Sequence, residues 1–265
     1  MNLAILGANG RMGRALLEAA QSDNELTVTL ACVRESSSLV GQSVRQLVNV
    51  SAAQVPDFTV FGISDNADVV IDFTLPVALQ AHLDICVKMQ RPVVIGTTGL
   101  SDEQLSAIGA AANHIPIVFA ANYSVGVTLM TKLCRMAAQT LGDTADIEII
   151  EAHHRFKRDA PSGTAMAIGE AIADQLDIKL QDHAIYGREG DTGERNQRTI
   201  GFSTIRGGDI IGDHTALFAD IGERVEITHK ASSRQTFALG ALRAAKWLLN
   251  KPAGLYDMED VLGLK

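Results

Sequence analysis

The chain is poor in the features that mark several whole classes of protein. It has three cysteines, Cys32, Cys86 and Cys134, scattered through apolar surroundings, with no CxxC pair and no His/Cys spacing of metal-ligand type. Neither a disulfide framework nor a metal site is therefore expected, and the thiols read as buried groups of a reducing compartment. An excess of positive charge is also missing. Lys and Arg total 23 against 31 Asp and Glu, a net charge of −8, which argues against nucleic acid as a partner. No apolar run reaches the ~20 residues of a membrane span, so no membrane association is expected. The N-terminus opens directly into a strand pattern rather than a signal peptide. No internal repeat or low-complexity tract interrupts the sequence. What is present is 46% apolar residues over 265 positions, enough for a full core and for two modest domains. These features imply a cytoplasmic globular protein that holds any anionic ligand with local clusters of positive charge.

The chain opens on the apolar run Leu3–Leu6, then Gly7-Ala8-Asn9-Gly10-Arg11-Met12-Gly13, then a helical pattern through about Gln21. Strand, glycine turn and helix in that order form the start of a dinucleotide-binding unit. Asn9 stands where the commoner fingerprint has its second glycine, and Asn tolerates a left-handed backbone better than most residues. A second strand spans Glu25–Val33, and Arg34 lies just past its end. Residues 35–67 are less regular, with room for a short helix and strand. The strands Ala67–Asp72, Pro92–Ile95 and Pro116–Ala120 alternate with helices at about 77–89 and 101–112. Phe73–Pro76 and Gly96–Gly99 follow two of those strands, at the strand ends where open parallel sheets bind ligands. A plain connecting turn is the competing reading of Gly96–Gly99.

The second half centres on residues 151–165, Glu-Ala-His-His-Arg-Phe-Lys-Arg-Asp-Ala-Pro-Ser-Gly-Thr-Ala. The run before it reads as a strand, Ala145–Glu151. After it, Ala165, Ile168, Ile172 and Leu176 recur at helical spacing. The cluster thus lies on a strand-to-helix connection, where free amides at the helix start favour an anion. Histidine can supply a proton near neutral pH, and lysine and arginine supply fixed charge. A His-His pair beside basic residues can equally be a solvated loop. Five potentially cationic side chains (His153, His154, Arg155, Lys157, Arg158) beside a helix terminus in an acidic protein point instead to a small anionic substrate. An apolar helix, Val125–Leu141, precedes this region. Residues 181–198 read as a long exposed loop. The strands Thr199–Arg206, Asp209–Ala219 and Glu223–Ala231 follow without helices between them, which indicates antiparallel pairing. A last helix, Phe237–Asn250, carries Trp247.

The fold class that results is α/β. A Rossmann-type parallel domain spans residues 1–124 and is completed by a C-terminal helix within 235–265. A smaller α+β domain, 125–234, has a mostly antiparallel sheet and serves substrate binding and oligomerisation. Selectivity between dinucleotides is read at the end of the second strand, where an acidic residue usually bonds the ribose. Val33 can do no such thing, and Arg34 can fork onto a 2′-phosphate, with Arg11 approaching from the glycine turn. NADPH is therefore expected to be preferred, with NADH still used. Arg34 as a solvated loop residue and Glu35 as the ribose ligand are the alternatives.

The segment EAHHRFKRDAPSGTA resembles the signature of bacterial dihydrodipicolinate (4-hydroxy-tetrahydrodipicolinate) reductases. The likeness continues in GANGRMG at 7–13, IDFTLP at 71–76, GTTG at 96–99, FAANYSVGV at 119–127, GERNQRTIGF at 193–202 and ADIGERVEITHKASSR at 219–234. It implies a nicotinamide-dependent reductase of a cyclic imine dicarboxylate, serving lysine and diaminopimelate biosynthesis, and a homotetramer built through the second domain's sheet. It makes His153 the general acid and Lys157 a second proton donor and substrate contact. His154, Gly163 and Thr164 become substrate contacts. Gly7, Ala8, Asn9, Gly10, Arg11 and Met12 become cofactor contacts, as do Gly96, Thr97 and Thr98, and Ala120, Ala121, Asn122 and Tyr123. Two positions depart from the pattern: Phe156 replaces a frequent histidine, and Val33 a frequent acidic residue. Another two-domain dehydrogenase of amino-acid metabolism, or a nucleotide-sensing regulator without chemistry, are the rival readings.

Overall fold

The computed structural model describes residues 1–49, 56–62 and 66–265. β1 (Asn2–Leu6) leads through the glycine turn into α1 (Arg11–Ala20) and β2 (Thr27–Val33). A single 3-10 turn at Val44–Gln46 and the short β3 (Phe58–Val60) follow; the rest of the expected irregular stretch, at 50–55 and 63–65, lies outside the described residues. Next come β4 (Val69–Asp72), α2 (Leu79–Lys88), β5 (Val93–Ile95), α3 (Asp102–Ala112) and β6 (Pro116–Phe119). The chain continues as α4 (Val125–Leu141), β7 (Asp146–His153), α5 (Gly163–Gln175), α6 (Leu180–His183) and β8 (Ala184–Ile185). It ends with β9 (Ile200–Arg206), β10 (Gly212–Asp220), β11 (Glu223–Ala231), α7 (Gln235–Leu248), β12 (Gly254–Tyr256) and α8 (Met258–Leu262). The chain forms two compact units, Met1–Val125 with Arg234–Lys265, and Gly126–Ser233.

The first unit is built on a parallel sheet in the order β12-β6-β5-β4-β1-β2-β3. The strands are apolar on both faces, as a parallel sheet covered by helices on each side requires. Leu3, Ile5, Val69 and Ile71 enter one core, while Ala4, Leu6, Val70 and Val93 enter the other. Strand order runs outward in both directions from β1 and β4, and ligands bind such sheets where the order reverses. The C-terminal segment differs from a single helix. α7 stops at Leu248, Pro252 bars its continuation, and Gly254–Tyr256 adds a strand beside β6. Asp257 then restarts a helix, accepting from the backbone N–H groups of Glu259 and Asp260.

The second unit has a sheet in the order β11-β10-β7-β9-β8. β10 pairs antiparallel with both β11 and β7. β7–β9 and β8–β9 are parallel, so the sheet is mixed rather than mostly antiparallel. The departure arises because β9 does not pair with β10, its successor in sequence. The chain crosses over through α5 after β7, and a helical crossover returns the next strand parallel. One face of β7 buries Ile147, Ile149, Glu151 and His153 in strict alternation. The region 181–198 is also more ordered than a long exposed loop. It contains most of α6 and all of β8, and Arg195 fastens the remainder to the sheet. That guanidinium donates to Asp146 Oδ1 at 2.7 Å, to the Ile147 carbonyl at 3.0 Å and to the Thr199 carbonyl at 2.8 Å.

Close packing in the first unit makes a direct stability prediction. A Cβ placed on Gly240, in α7, would lie 1.7 Å from the Tyr123 carbonyl oxygen, whereas one on Gly109, in α3, meets nothing within 4 Å. Gly240→Ala should cost about 1–3 kcal/mol and Gly109→Ala should stabilise by up to about 1 kcal/mol. Thermal denaturation of the two variants should move in opposite directions. Equal melting temperatures would contradict this packing.

Candidate active site

Glu151 is the centre of the candidate site in the second unit. It lies near the end of β7, two residues before His153, and period-two alternation turns both side chains to the buried face. Its carboxylate is 1% exposed. Such a group is stable only when its oxygens are fully used. Arg206, across from His153 in the β7–β9 register, donates Nη1 to Oε2 and Nη2 to Oε1, both at 2.8 Å. The backbone N–H of Ser162 donates to Oε1 at 3.0 Å. His153 Nδ1 lies 2.6 Å from Oε2. An ionised carboxylate only accepts, so Nδ1 carries the proton and Nε2 is left as the working nitrogen. A Cβ at Gly212 would come 3.0 Å from that Nε2, so glycine there keeps it uncrowded.

The charges follow from this geometry. Burial opposes ionisation of Glu151, but Arg206 and His153 outweigh it and hold the carboxyl below its usual range. Burial lowers the pKa of His153 from its usual value, partly offset by Glu151, while Lys157 and Arg206 lower it further. The free imidazole is therefore neutral at pH 7. Opposite His153 stands His214 of β10, 5.1 Å away ring to ring and edge-on. Its Nε2 is 3.0 Å from Ser162 Oγ, and that oxygen accepts the Ala165 N–H as the cap of α5. Burial drives the His214 pKa down to about 4.

The expected residues fall around this core. His153 is not in the loop, as the expected strand end at Glu151 would leave it, but is the last residue of β7 and is buried. Ser162 binds Glu151, so the start of α5, with Gly163 exposed and Thr164 half-buried, is tied to the same carboxylate as His153. His154 is half-buried, and its Nδ1 is buried without a hydrogen-bond partner among the described residues. Lys157 is not free: its Nζ donates to Asp159 Oδ2 at 2.8 Å. Glu151, Arg206 and His214 were not expected. Glu151-x-His153 on a strand was a usable signal, since the two must share a face. Arg206 and His214 arrive through strand register, which spacing in the sequence does not reveal.

In the first unit the expected residues follow three strands of the parallel sheet: Gly7–Met12 after β1, Gly96–Thr98 after β5, and Ala120–Tyr123 after β6, with β4 between β1 and β5. Gly7 takes the left-handed conformation at φ 69°, and Asn9 does not. A Cβ at Gly13 would lie 2.3 Å from the Gly7 carbonyl, so the turn and α1 meet backbone to backbone. That is the close approach a dinucleotide cradle needs. Gly10 and Arg11 are exposed at the start of α1, Ala8 is buried, and Met12 packs on the core. Thr97 is buried with its hydroxyl unpartnered among the described residues, a polar atom that suits a ligand, and Thr98 is exposed. Ala120 is half-buried, Ala121 exposed, and Asn122 Oδ1 accepts from the Ser124 N–H. Tyr123 turns its side chain to the core. Its side chain is 1% exposed, with the hydroxyl within 2.8 Å of the Ile95 carbonyl, so it supports β5 from inside. Val33 is likewise buried, and Arg34 is the first exposed residue after β2.

Comparison with known proteins identifies the family. Residues 1–123 match the family described as "Dihydrodipicolinate reductase, N-terminus", and residues 126–262 match "Dihydrodipicolinate reductase, C-terminus". A 4-hydroxy-tetrahydrodipicolinate reductase of Pseudoalteromonas atlantica is 60% identical over 269 residues, covering 99% of this chain and 98% of that one. One of Pseudomonas fluorescens is 56% identical over 265 residues, with 99% of each chain covered. Among solved structures, a dipicolinate-bound dihydrodipicolinate reductase from Paenisporosarcina sp. TG-14 is similar with a TM-score of 0.76 at 25% identity, covering 97% of both chains.

The buried histidines set an acid-side stability limit. An unfolded His214 takes a proton near pH 6.5, while the folded one refuses it until about 4. Stability is therefore lost as pH falls from 6.5 towards 4, by up to roughly 3 kcal/mol from this residue. His214→Gln, which keeps a donor near Ser162, should flatten urea-derived stability between pH 7 and 4. Part of the slope should remain, because His153 and His229 shift the same way. An unchanged slope would contradict the burial of a neutral His214.

Proposed function

The chain belongs to the dihydrodipicolinate reductase family, and we propose that its second unit carries that reaction's acid chemistry on His153 while its first unit holds NADPH or NADH. The activity is that of a 4-hydroxy-tetrahydrodipicolinate reductase. It reduces the cyclic imine dicarboxylate derived from 4-hydroxy-tetrahydrodipicolinate to tetrahydrodipicolinate, for lysine and diaminopimelate biosynthesis. The nicotinamide cofactor, when bound, supplies the hydride; the protein must supply a proton and hold two carboxylates.

The observation that carries the assignment is the 2.6 Å contact from His153 Nδ1 to Glu151, with Arg206 behind it. It fixes the ring and directs Nε2 outward. A dicarboxylate beside this imidazole favours the charged form, so substrate binding itself loads the proton that His153 then delivers. Lys157 serves as the second proton donor and as a charge for one carboxylate, exchanging its exposed partner Asp159 for substrate. The first turn of α5, at Gly163 and Thr164, holds a carboxylate with its amides. His154 contributes its unpartnered nitrogen.

In the first unit, Gly7–Met12, Gly96–Thr98 and the backbone of Ala120–Tyr123 hold the dinucleotide. Arg34 receives the 2′-phosphate, which favours NADPH. We infer a homotetramer assembled through the second unit. β11 is an edge strand of nine residues with outward-facing side chains, and Ile205 and Val225 are exposed on the same sheet. The buried thiols, each pushed up to about 12 by burial, suit a cytoplasmic setting.

Cofactor oxidation should follow addition of the aspartate-semialdehyde–pyruvate condensation product and not of aspartate semialdehyde alone. His153→Ala and Lys157→Ala should each lower kcat by about a hundred- to ten-thousandfold. Glu151→Gln removes the charge that raises the His153 pKa, so the alkaline limb of kcat/KM should move to lower pH. A limb that stays in place would remove Glu151 from the mechanism. Arg34→Ala should reduce NADPH efficiency about tenfold, as a charge-assisted hydrogen bond of roughly 1.5–3 kcal/mol implies, and spare NADH. A wild type that favours NADH would point to Glu35 as the ribose ligand instead.

A further inference from the structure

One buried carboxylate lies outside the chemistry assigned above. Asp72, the last residue of β4, is 1% exposed and sits where the strand order of the first unit reverses. Its Oδ1 accepts from the Thr74 N–H at 2.9 Å and from the Thr74 hydroxyl at 2.6 Å. Its Oδ2 lies 2.7 Å from Nδ1 of His82, on α2, and a carboxylate partner makes that nitrogen the donor. The His82 ring is held edge-on by Phe61, with centroids 5.5 Å apart. Asp72 also fixes the next strand, since its backbone carbonyl accepts the Gly96 N–H at 2.8 Å.

The turn that this network shapes touches both glycine turns. The Phe73 ring abuts Gly96 so closely that a Cβ there would lie 2.2 Å from it. The Thr74 methyl would lie 3.2 Å from a Cβ on Gly7, and the Phe73 carbonyl 3.3 Å. Phe73–Thr74 is thus a wedge between the Gly7 turn and the Gly96 turn. Its conformation is set by hydrogen bonds to one carboxylate, and the orientation of that carboxylate is set by His82.

We propose that His82 and Asp72 are a positioning pair: they lock the Phe73–Thr74 wedge and so fix the separation of the two turns that hold the nicotinamide dinucleotide. This rests on the reading that those turns are the cofactor site. Neither residue touches the reacting atoms. Their loss should weaken cofactor binding and leave the chemical step intact, because a misplaced cradle costs binding first when saturation can restore occupancy.

The test is a fluorescence titration of NADPH into the full-length protein, with steady-state kinetics alongside. His82→Asn keeps an amide N–H near the place of Nδ1, and His82→Leu keeps bulk without a donor. His82→Leu should raise the Kd and KM for NADPH about tenfold, the scale of one charge-assisted hydrogen bond, with kcat at saturation within about threefold. His82→Asn should bind within about threefold of wild type. Wild-type affinity in His82→Leu overturns the proposal. So does a His82→Asn as weak as His82→Leu, because bulk rather than the hydrogen bond would then matter. If His82→Leu does not fold, Thr74→Val replaces it, and unchanged affinity there overturns the proposal. Gly7→Ala separates the two levels of inference. If it binds NADPH normally, the cofactor-site reading fails; if it binds weakly while His82→Leu is normal, only the positioning role fails.

Discussion

A carboxylate buried at the end of a strand has to be neutralised where it stands, and much of the second unit is arranged around that requirement. Glu151 follows Ile147 and Ile149 in the buried row of β7, where an apolar residue would pack without cost. Left alone there, its charge would be destabilising by several kcal/mol. Arg206 meets it in the fork geometry that guanidinium and carboxylate share. Ser162 spends its backbone N–H on it, which anchors the start of α5. His153 completes the set, and its ring orientation follows as a consequence. One buried charge thereby couples a strand end, a neighbouring strand and a helix terminus.

On the reading proposed here, the coupling makes His153 a proton donor whose state responds to its ligand. Burial and the cations Arg206 and Lys157 discourage a charge on His153, while Glu151 encourages it. The balance leaves a neutral imidazole that an arriving dianion can tip. His214 shows the other outcome. It lies directly across from Glu151 in the strand register but hydrogen-bonds Ser162 instead, so burial outweighs the distant pull of that carboxylate and its pKa falls to about 4. Two histidines 5.1 Å apart thus take different roles because only one of them holds the carboxylate.

Local patterns made much of this legible in the sequence. The GANGRMG turn, the alternation of strands and helices through residue 120 and the helix at 125–141 all rest on short-range periodicity, and the structure follows them. The dense cationic run at 153–158 drew attention to the connection between β7 and α5, beside which Glu151 and His153 meet. What escaped was non-local. Nothing in the spacing of residues 199–231 shows that β7 inserts between β9 and β10, so the parallel half of that sheet and the arrival of Arg206 were invisible. β12 is three residues long and pairs with β6 at the far edge of its sheet, a contact no local pattern announces. The family resemblance implied a cofactor contact at Tyr123, and Val33 was read as the residue at the ribose-selecting position. Both side chains turn inward: Val33 as the buried last residue of β2, and Tyr123 through its hydroxyl contacts with the Ile95 and Val118 carbonyls.

The central claim is that Glu151 holds His153 as a neutral imidazole protonated on Nδ1, and that a bound dicarboxylate raises its pKa. NMR titration of the His153 ring nitrogens, with and without pyridine-2,6-dicarboxylate, tests it most directly. The free protein should show a proton on Nδ1, none on Nε2 at pH 7, and a pKa below 6.5, moving upward when the dicarboxylate binds. A proton on Nε2 in the free protein at neutral pH, or a pKa that the dicarboxylate leaves unmoved, would contradict it.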